Sequence, residues 1–348
     1  MGFDPFGNPN RHWYTNTVGN PPQMGGTTVI GAPIQPVNVE LDDANGNLLI
    51  LNGHPMISSA TPFVAPVLNS PVFSNATYSS SDIPTQFSDA VQRAQFFNSM
   101  KPDWHTLLKP RVLAPLTMRI QQAPGCPTGP NFAGCNYVFV LNADGSCCSF
   151  ILVEGNTFFP ALLNLGIADI VNGVITTKDI STALLPNTFA FYGDLTNCCT
   201  LGLHEYIFEA NSDPERRWVV NFSSWISQDS AIGQFFDSVD IQPVSHEMSE
   251  IFNDPFIASD LVHNVTPWWL APNGNCQTNL ETGDVIERLP NALFPMVMNG
   301  FTYHPQNEAL MQWFEFKSPS DALRGAYSYP DTNVLTSLSA PQKAFCAP

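Results

Sequence analysis

The chain is poor in charge, and poorest in positive charge. Only 12% of its 348 residues are Asp, Glu, Lys or Arg, and Lys and Arg number 13 against 30 acids. The formal charge of −17 excludes the basic surface on which nucleic-acid binding rests, and it disfavours an anionic membrane. No apolar run approaches the roughly 20 residues that a membrane-spanning helix needs. There is no C-x-x-C pair for a structural zinc knuckle, no G-x-S-x-G elbow, no phosphate loop and no dinucleotide fingerprint. Internal repeats and coiled-coil heptads are absent too. The opening MGFDPFGNPN has no basic segment followed by an apolar core, so the sequence reads as a mature form without a signal peptide.

At 44% hydrophobic the chain can build a sizeable core, and its length allows one large domain or two ordinary ones. With 31 Pro and 22 Gly beside few charges, it reads as a loop-rich, β-containing secreted protein. The cysteines are Cys126, Cys135, Cys147, Cys148, Cys198, Cys199, Cys276 and Cys346, an even number that implies disulfides in an extracellular chain. Adjacent cysteines such as Cys147 and Cys148 are expected to bond to different partners. Sequons at Asn75, Asn221 and Asn264 fit a glycosylated secreted chain.

The stretch Ile241 to Pro255, IQPVSHEMSEIFNDP, carries His246, Glu247 and Glu250 as H-E-x-x-E. On a helix, Val244, Met248, Ile251 and Phe252 share one arc. His246, Glu250, Asn253 and Asp254 share the opposite one, with Glu247 at its edge. His246 and Glu250 are four apart, so their side chains meet across one turn. The pattern resembles H-E-x-x-H, in which two His bind zinc and the Glu is the general base. A Glu in place of the second His is compatible with zinc, which accepts carboxylate oxygen. The plain alternative for so short a pattern is a surface helix with solvated charges. Against it, Trp218 to Glu287 contains no Lys or Arg and ten acids: Asp229, Asp237, Asp240, Glu247, Glu250, Asp254, Asp260, Glu281, Asp284 and Glu287. Carboxylates gathered without basic partners need pairing or a cation.

A catalytic zinc site takes three protein ligands and keeps one position open. Beyond His246 and Glu250, the candidates are Glu281, Asp284, Asp254, His204, His263 and His304. The loop Glu281-Thr282-Gly283-Asp284 supplies carboxylates, and Gly283 would let the backbone fold round an ion. Asp254 and Asp284 could instead share a calcium, which prefers several oxygens. His204 reads more readily as a satisfied strand histidine. Glu247 is the expected base.

Residues 1–80 read as an extended, Pro/Gly-rich segment with a hairpin over Pro36–Leu51 that turns at Asn45-Gly46. Ser88–Met100 reads as a helix capped by Ser88. Ala90, Val91, Ala94 and Phe97 form its apolar side, and Asp89 and Arg93, one turn apart, are a candidate ion pair. Strands are expected over 112–121, 137–141, 148–153, 189–192, 201–208 and 218–225. A helix or strand is expected within 167–180, a helix or turn over 227–238, and a hairpin at Asn299-Gly300. The tail from 317 reads as loop, stapled by Cys346.

The segment Ser245-His246-Glu247-Met248-Ser249-Glu250 through Asp254-Pro255, with the loop Glu281-Thr282-Gly283-Asp284, resembles a family of secreted microbial proteins. That family carries S-H-E-x-x-E-x-x-x-D-P followed by E-x-G-D, and is distantly similar to plant phosphate-induced, exordium-like proteins. Thr85 to Ala94 is similar to the family's T-Q-x-x-D-A-x-Q-R-A helix, and Cys199 to His204 loosely to its C-G-x-H piece. Cys276 precedes the loop here instead of following it. The resemblance spans roughly 85–310. It implies an α+β fold with a zincin-like core, a mixed or antiparallel sheet and a metal-site helix, loop-rich and disulfide-stapled, over residues 81–348. It further implies a secreted zinc-dependent hydrolase, a peptidase acting on peptide or protein. The rival is a non-catalytic extracellular binding or structural protein that keeps zinc or calcium for stability.

Overall fold

The computed structural model describes residues 2–3, 12–13, 17–79, 82–126, 134–209, 212, 215–228, 230, 238–257, 269–277 and 280–338. In chain order, the elements that matter here begin with β1 (Thr27–Asp42), α1 (Thr61–Leu68), α2 (Phe87–Gln95), β2 (His105–Val112) and β3 (Leu116–Gln121). Then come β4 (Tyr137–Val140), β5 (Phe150–Glu154), α3 (Gly155–Val171), β6 (Ile180–Pro186), β7 (Thr188–Tyr192) and β8 (Asp194–Thr200). They close with β9 (Gly202–Glu209), β10 (Arg216–Trp225), α4 (Gln242–Asn253), β11 (Met296–Met298) and β12 (Phe301–Tyr303). The chain is α+β.

The 16-residue β1 is the axis of a seven-stranded mixed sheet. Its first half pairs in parallel with β2 and its second half with β3. Pro36 sits where one partner gives way to the other, so its missing N–H falls at a break in that ladder. On the other side β1 joins β6, then β10, in parallel, and β9 closes the edge antiparallel to β10. A second sheet runs β8-β7-β5-β4.

Strand alternation sorts the two faces of the large sheet. Ile34, Ile180, Leu184, Val219 and Trp225 point to one face and pack against Val244, Met248, Ile251 and Phe252 of α4. Val37, Val39, Leu185 and Phe222 point to the other and pack against Phe158, Phe159 and Leu162 of α3. The apolar arc read for α4 is therefore its core face, with Pro243 in the first turn, where its missing N–H costs nothing. The polar arc is buried as well, which rules out the solvated surface helix. Helix α2 lies beside it. Gln92 donates to the Phe252 carbonyl at 2.9 Å, and Ser88 and Ser249 hydroxyls meet at 3.2 Å.

Several expectations are corrected. Within residues 1–80, read as an extended segment with a hairpin, Thr27–Asp42 forms β1, central to the sheet, and Val67, Val72 and Phe73 share the core of α4. The hairpin turn after β1 does form, with Gly46 N–H donating to the Asp43 carbonyl and Asp42 bridging to Leu48. Helix α2 ends at Gln95, its cap is Gln86, and Phe97 is exposed beyond its end. Asp89 does not pair with Arg93. It accepts from Thr85 and the Thr106 N–H and meets His105 at 2.8 Å, while Arg93 bonds the Trp104 and Pro102 carbonyls. The stretch within 167–180 splits between the end of α3 and a turn into β6. Beyond residue 317 the described chain is loop, as expected, apart from a 3-10 turn at Leu323–Gly325 and a two-residue strand at Ser328–Tyr329, and it buries Ala322, Ala326, Tyr329 and Leu335 in the core.

Cys126 and Cys135 sulfurs lie at bonding distance, 2.02 Å. Cys147 and Cys148 pair with each other, as do Cys198 and Cys199, contrary to the expectation of separate partners. Cys147 and Cys148 pack on one core cluster, and Cys198 and Cys199 on another. The Cys276 side chain, Cys346, Asn264 and most of 227–238 lie outside the described residues. Asn221 is unsuited to glycosylation: it is buried, and its amide donates to the Ser181 carbonyl and Thr182 hydroxyl. Among the described residues, no helix is long and apolar enough to cross a membrane.

Candidate metal centre

Three parts of the chain converge at one cleft of about 410 Å³. Helix α4 brings His246, Glu247 and Glu250. Edge strand β9 brings His204, whose side chain faces α4. The loop after Leu280 brings Glu281 and Asp284.

His246 Nε2 lies 3.2 Å from Glu250 Oε2, the one-turn spacing read from the sequence, and 3.4 Å from Asp284 Oδ1. Zinc bonds of about 2.0–2.2 Å in a tetrahedron set donor atoms about 3.3–3.6 Å apart, so these separations suit ligands of one ion. Glu250 Oε1 accepts the N–H groups of Gly283 and Asp284 at 3.0 and 3.3 Å, which fixes the loop to the helix. Two sets of three donors lie within 4.8 Å of one another, His246–Glu247–Glu250 and His204–Glu250–Glu281, and both contain Glu250.

The electrostatics fit a cation. Burial alone would raise Glu250, but the charge and hydrogen bond of His246, with a hydrogen bond from Glu281, hold it down to about 2. Glu281 goes the other way: burial, then the charge of Glu250 and its bond to it, drive it well above the usual carboxylate range. Two carboxyl groups hydrogen-bond only with a proton between them, and a bound cation can take that proton's place. His246 is raised well above the usual imidazole range, because the charge of Glu250 and bonds to Asp284 and Glu250 outweigh burial, which acts downward. Among the described residues lining the cleft there is no Lys or Arg.

His204 is buried, as a strand histidine would be, but its partners belong to the site. Its Nδ1 lies 3.0 Å from Glu247 Oε2, and its Nε2 donates to the Asp254 carbonyl at 3.1 Å. Both ring nitrogens are thus engaged, Nδ1 by Glu247 and Nε2 by the Asp254 carbonyl. Burial pushes the His204 pKa down, but the Glu247 bond and the charges of Glu247 and Glu250 raise it overall. Glu247 is raised mainly by burial, against the lowering bond from His204. Asp254 contributes its backbone; its carboxyl accepts the Leu280 N–H at 3.5 Å and is pushed up to about 6, chiefly by burial.

Two glycines make the site possible. A Cβ on Gly202 would stand 2.5 Å from Glu247 Oε1, and one on Gly283 would stand 2.5 Å from His246 Nδ1. Gly283 is needed for close approach to the imidazole and not for a left-handed backbone. His246 Nδ1 itself is buried against this glycine without a hydrogen-bond partner.

His304 is not part of the site; it is held by Asp240 at 2.6 Å. His263 lies outside the described residues. Sequence reasoning missed Glu308, fully buried behind the site, with one oxygen accepting from Thr282 at 2.9 Å and the other unpartnered. Nothing in its local sequence signals this, because the contact joins segments 26 residues apart. Glu287, which also lines the cleft, was visible only as one of the ten acids. No family model, no curated protein and no solved structure matches this chain.

Proposed function

We propose that the protein is a secreted zinc-dependent hydrolase of zincin-like architecture, acting on peptide or protein. The observation that carries this reading is the pair His246 Nε2 and Glu250 Oε2 at 3.2 Å with Glu247 beside them, itself oriented by His204. His246 and Glu250 are the proposed ligands from α4, and from the loop Asp284, 3.4 Å from His246, and Glu281, which groups with Glu250, complete the proposed set. The resemblance of the H-E-x-x-E helix and the E-x-G-D loop to secreted microbial proteins supports the same reading.

A bound zinc supplies Lewis acidity toward a carbonyl oxygen and lowers the pKa of a water to about 7. Glu247 holds the proton account. Burial raises its affinity for a proton, so it can accept one from water and pass it to a leaving amine. His204 fixes the carboxylate through Nδ1 and is itself fixed by the Asp254 carbonyl, so Glu247 keeps one orientation through both transfers. The anionic Glu250 leaves the ion less electrophilic than a second His would, which suits an activated or tightly bound substrate.

A structural ion, zinc or calcium, is favoured by a different observation, the surplus of oxygen donors at Glu250, Glu281 and Asp284. Cleavage of casein or a peptide library, measured on wild type and Glu247→Gln, separates the two. Loss of about 100-fold or more in the variant, with metal retained, is expected of the hydrolase. Equal rates, or no cleavage by wild type, would leave the structural ion.

A further inference from the structure

The opposite face of the β9 edge holds a second cavity that the metal chemistry does not use. It lies between α3 and the large sheet and measures about 530 Å³, within the range of small-molecule sites. Its walls are Phe159, Leu162 and Leu165 of α3 with Ala183, Leu203 and Phe222 of the sheet. Helix α3 stands over this space instead of closing it. Of its 17 residues only Gly155 and Phe158 are fully buried. Gly166 faces the cavity, and a Cβ built there meets no atom within 4 Å. A packed core does not leave such room, since interiors fill to crystal density.

The charge around it narrows the occupant. Among the described residues, the acidic side chains on its wall are Asp169 and Glu205, and no Lys or Arg lines it. An anionic head group would meet two carboxylates and no cation, in a chain of net charge −17. Leu203 and Glu205 line this cavity and the metal cleft alike, because β9 is the edge of the sheet. The head of a molecule bound under α3 therefore has a place at Glu205, where the two spaces meet.

We propose that the cavity under α3 binds a single long-chain aliphatic molecule with a cationic or neutral head, the chain beneath α3 and the head at Glu205. This goes beyond the hydrolase reading and does not depend on a metal. Isothermal titration calorimetry of the full chain with hexylamine, octylamine and decylamine below their micellar concentrations tests it, with decanoate as the anionic control. The expected result is saturable one-to-one binding that tightens about four-fold per added methylene, with decanoate at least ten-fold weaker than decylamine. Gly166→Phe places a ring where a Cβ meets no atom within 4 Å, and is expected to abolish decylamine binding while leaving thermal unfolding as cooperative as in wild type. Binding unchanged in that variant, no dependence on chain length, or decanoate binding as well as decylamine would overturn the proposal. Retained decylamine binding in His246→Ala, which removes a proposed metal ligand, keeps the result separate from the fate of the hydrolase reading.

Discussion

Glu247 and Glu250 sit three residues apart on one buried helix, and their surroundings drive them in opposite directions. Glu250 is held down by His246; Glu247 is pushed up by burial. That split suits one carboxylate to a ligand's role and the other to a base's. Glu308 gives the same physics a stability readout. Burial, and next the charge of Glu250, raise it well above its ordinary 4.5, so it keeps a proton in the folded chain that the unfolded chain releases. Its contribution to stability is therefore whole below that ordinary value and is lost as pH rises above it. Glu308→Gln removes the titration and keeps an acceptor for Thr282. It is expected to raise Tm at pH 8 by at least about 2 °C, on the order of 1 kcal/mol, and to change it little at pH 4. A thermal melt at the two pH values checks this; an equal effect at both would mean that Glu308 does not titrate with folding. His246, Glu247 and Glu250 were legible in the sequence because spacing along one helix fixes who meets whom. Glu308 and the true partners of His204 were not, because only the tertiary fold brings them to α4.

At the scale of elements, the site depends on two backbones passing close to α4. Strand β9 passes Glu247 at Gly202, and the loop passes His246 at Gly283. Gly283→Ala is expected to displace the imidazole and weaken zinc affinity about 10–100-fold, read by competition with a chelating dye. Gly202→Ala is expected to spare the metal and lower kcat by about 100-fold, since a displacement near 1 Å suffices for such a loss. The two variants thus separate binding from catalysis, and an exchange of their phenotypes would contradict the assigned roles. The elements themselves were unevenly legible. Strands β7, β9 and β10 were visible from their β-branched and aromatic runs. Helix α2 proved shorter than its periodicity suggested, because Phe96 turns to pack edge-on against Trp104 at 5.8 Å. Helix α3 was missed except for its last turn, Ile167–Val171: it is apolar on nearly every side and holds Pro160 and Gly166, so it gives no amphipathic signal.

At the scale of the molecule, long-range pairing decides what local patterns cannot. The second half of β1 is legible as the first arm of the hairpin over Pro36–Leu51, while its first half lies in the Pro/Gly-rich stretch that reads as extended. In the fold β1 is the strand on which β2, β3 and β6 assemble. The metal cleft draws on β9, α4 and the 281–284 loop, and the sheet between α3 and α4 separates it from the apolar cavity except at the β9 edge. Among the described residues no Lys or Arg lines the cleft, so the buried acids there are accounted for if a cation, or protons in its place, share the site. The most direct test is the metal content of the purified protein by inductively coupled plasma mass spectrometry, on wild type and His246→Ala. The account predicts about one zinc per chain in wild type, as tetrahedral ligation by a single site requires, and its loss in the variant. No zinc in wild type, or the same zinc in both, would contradict it.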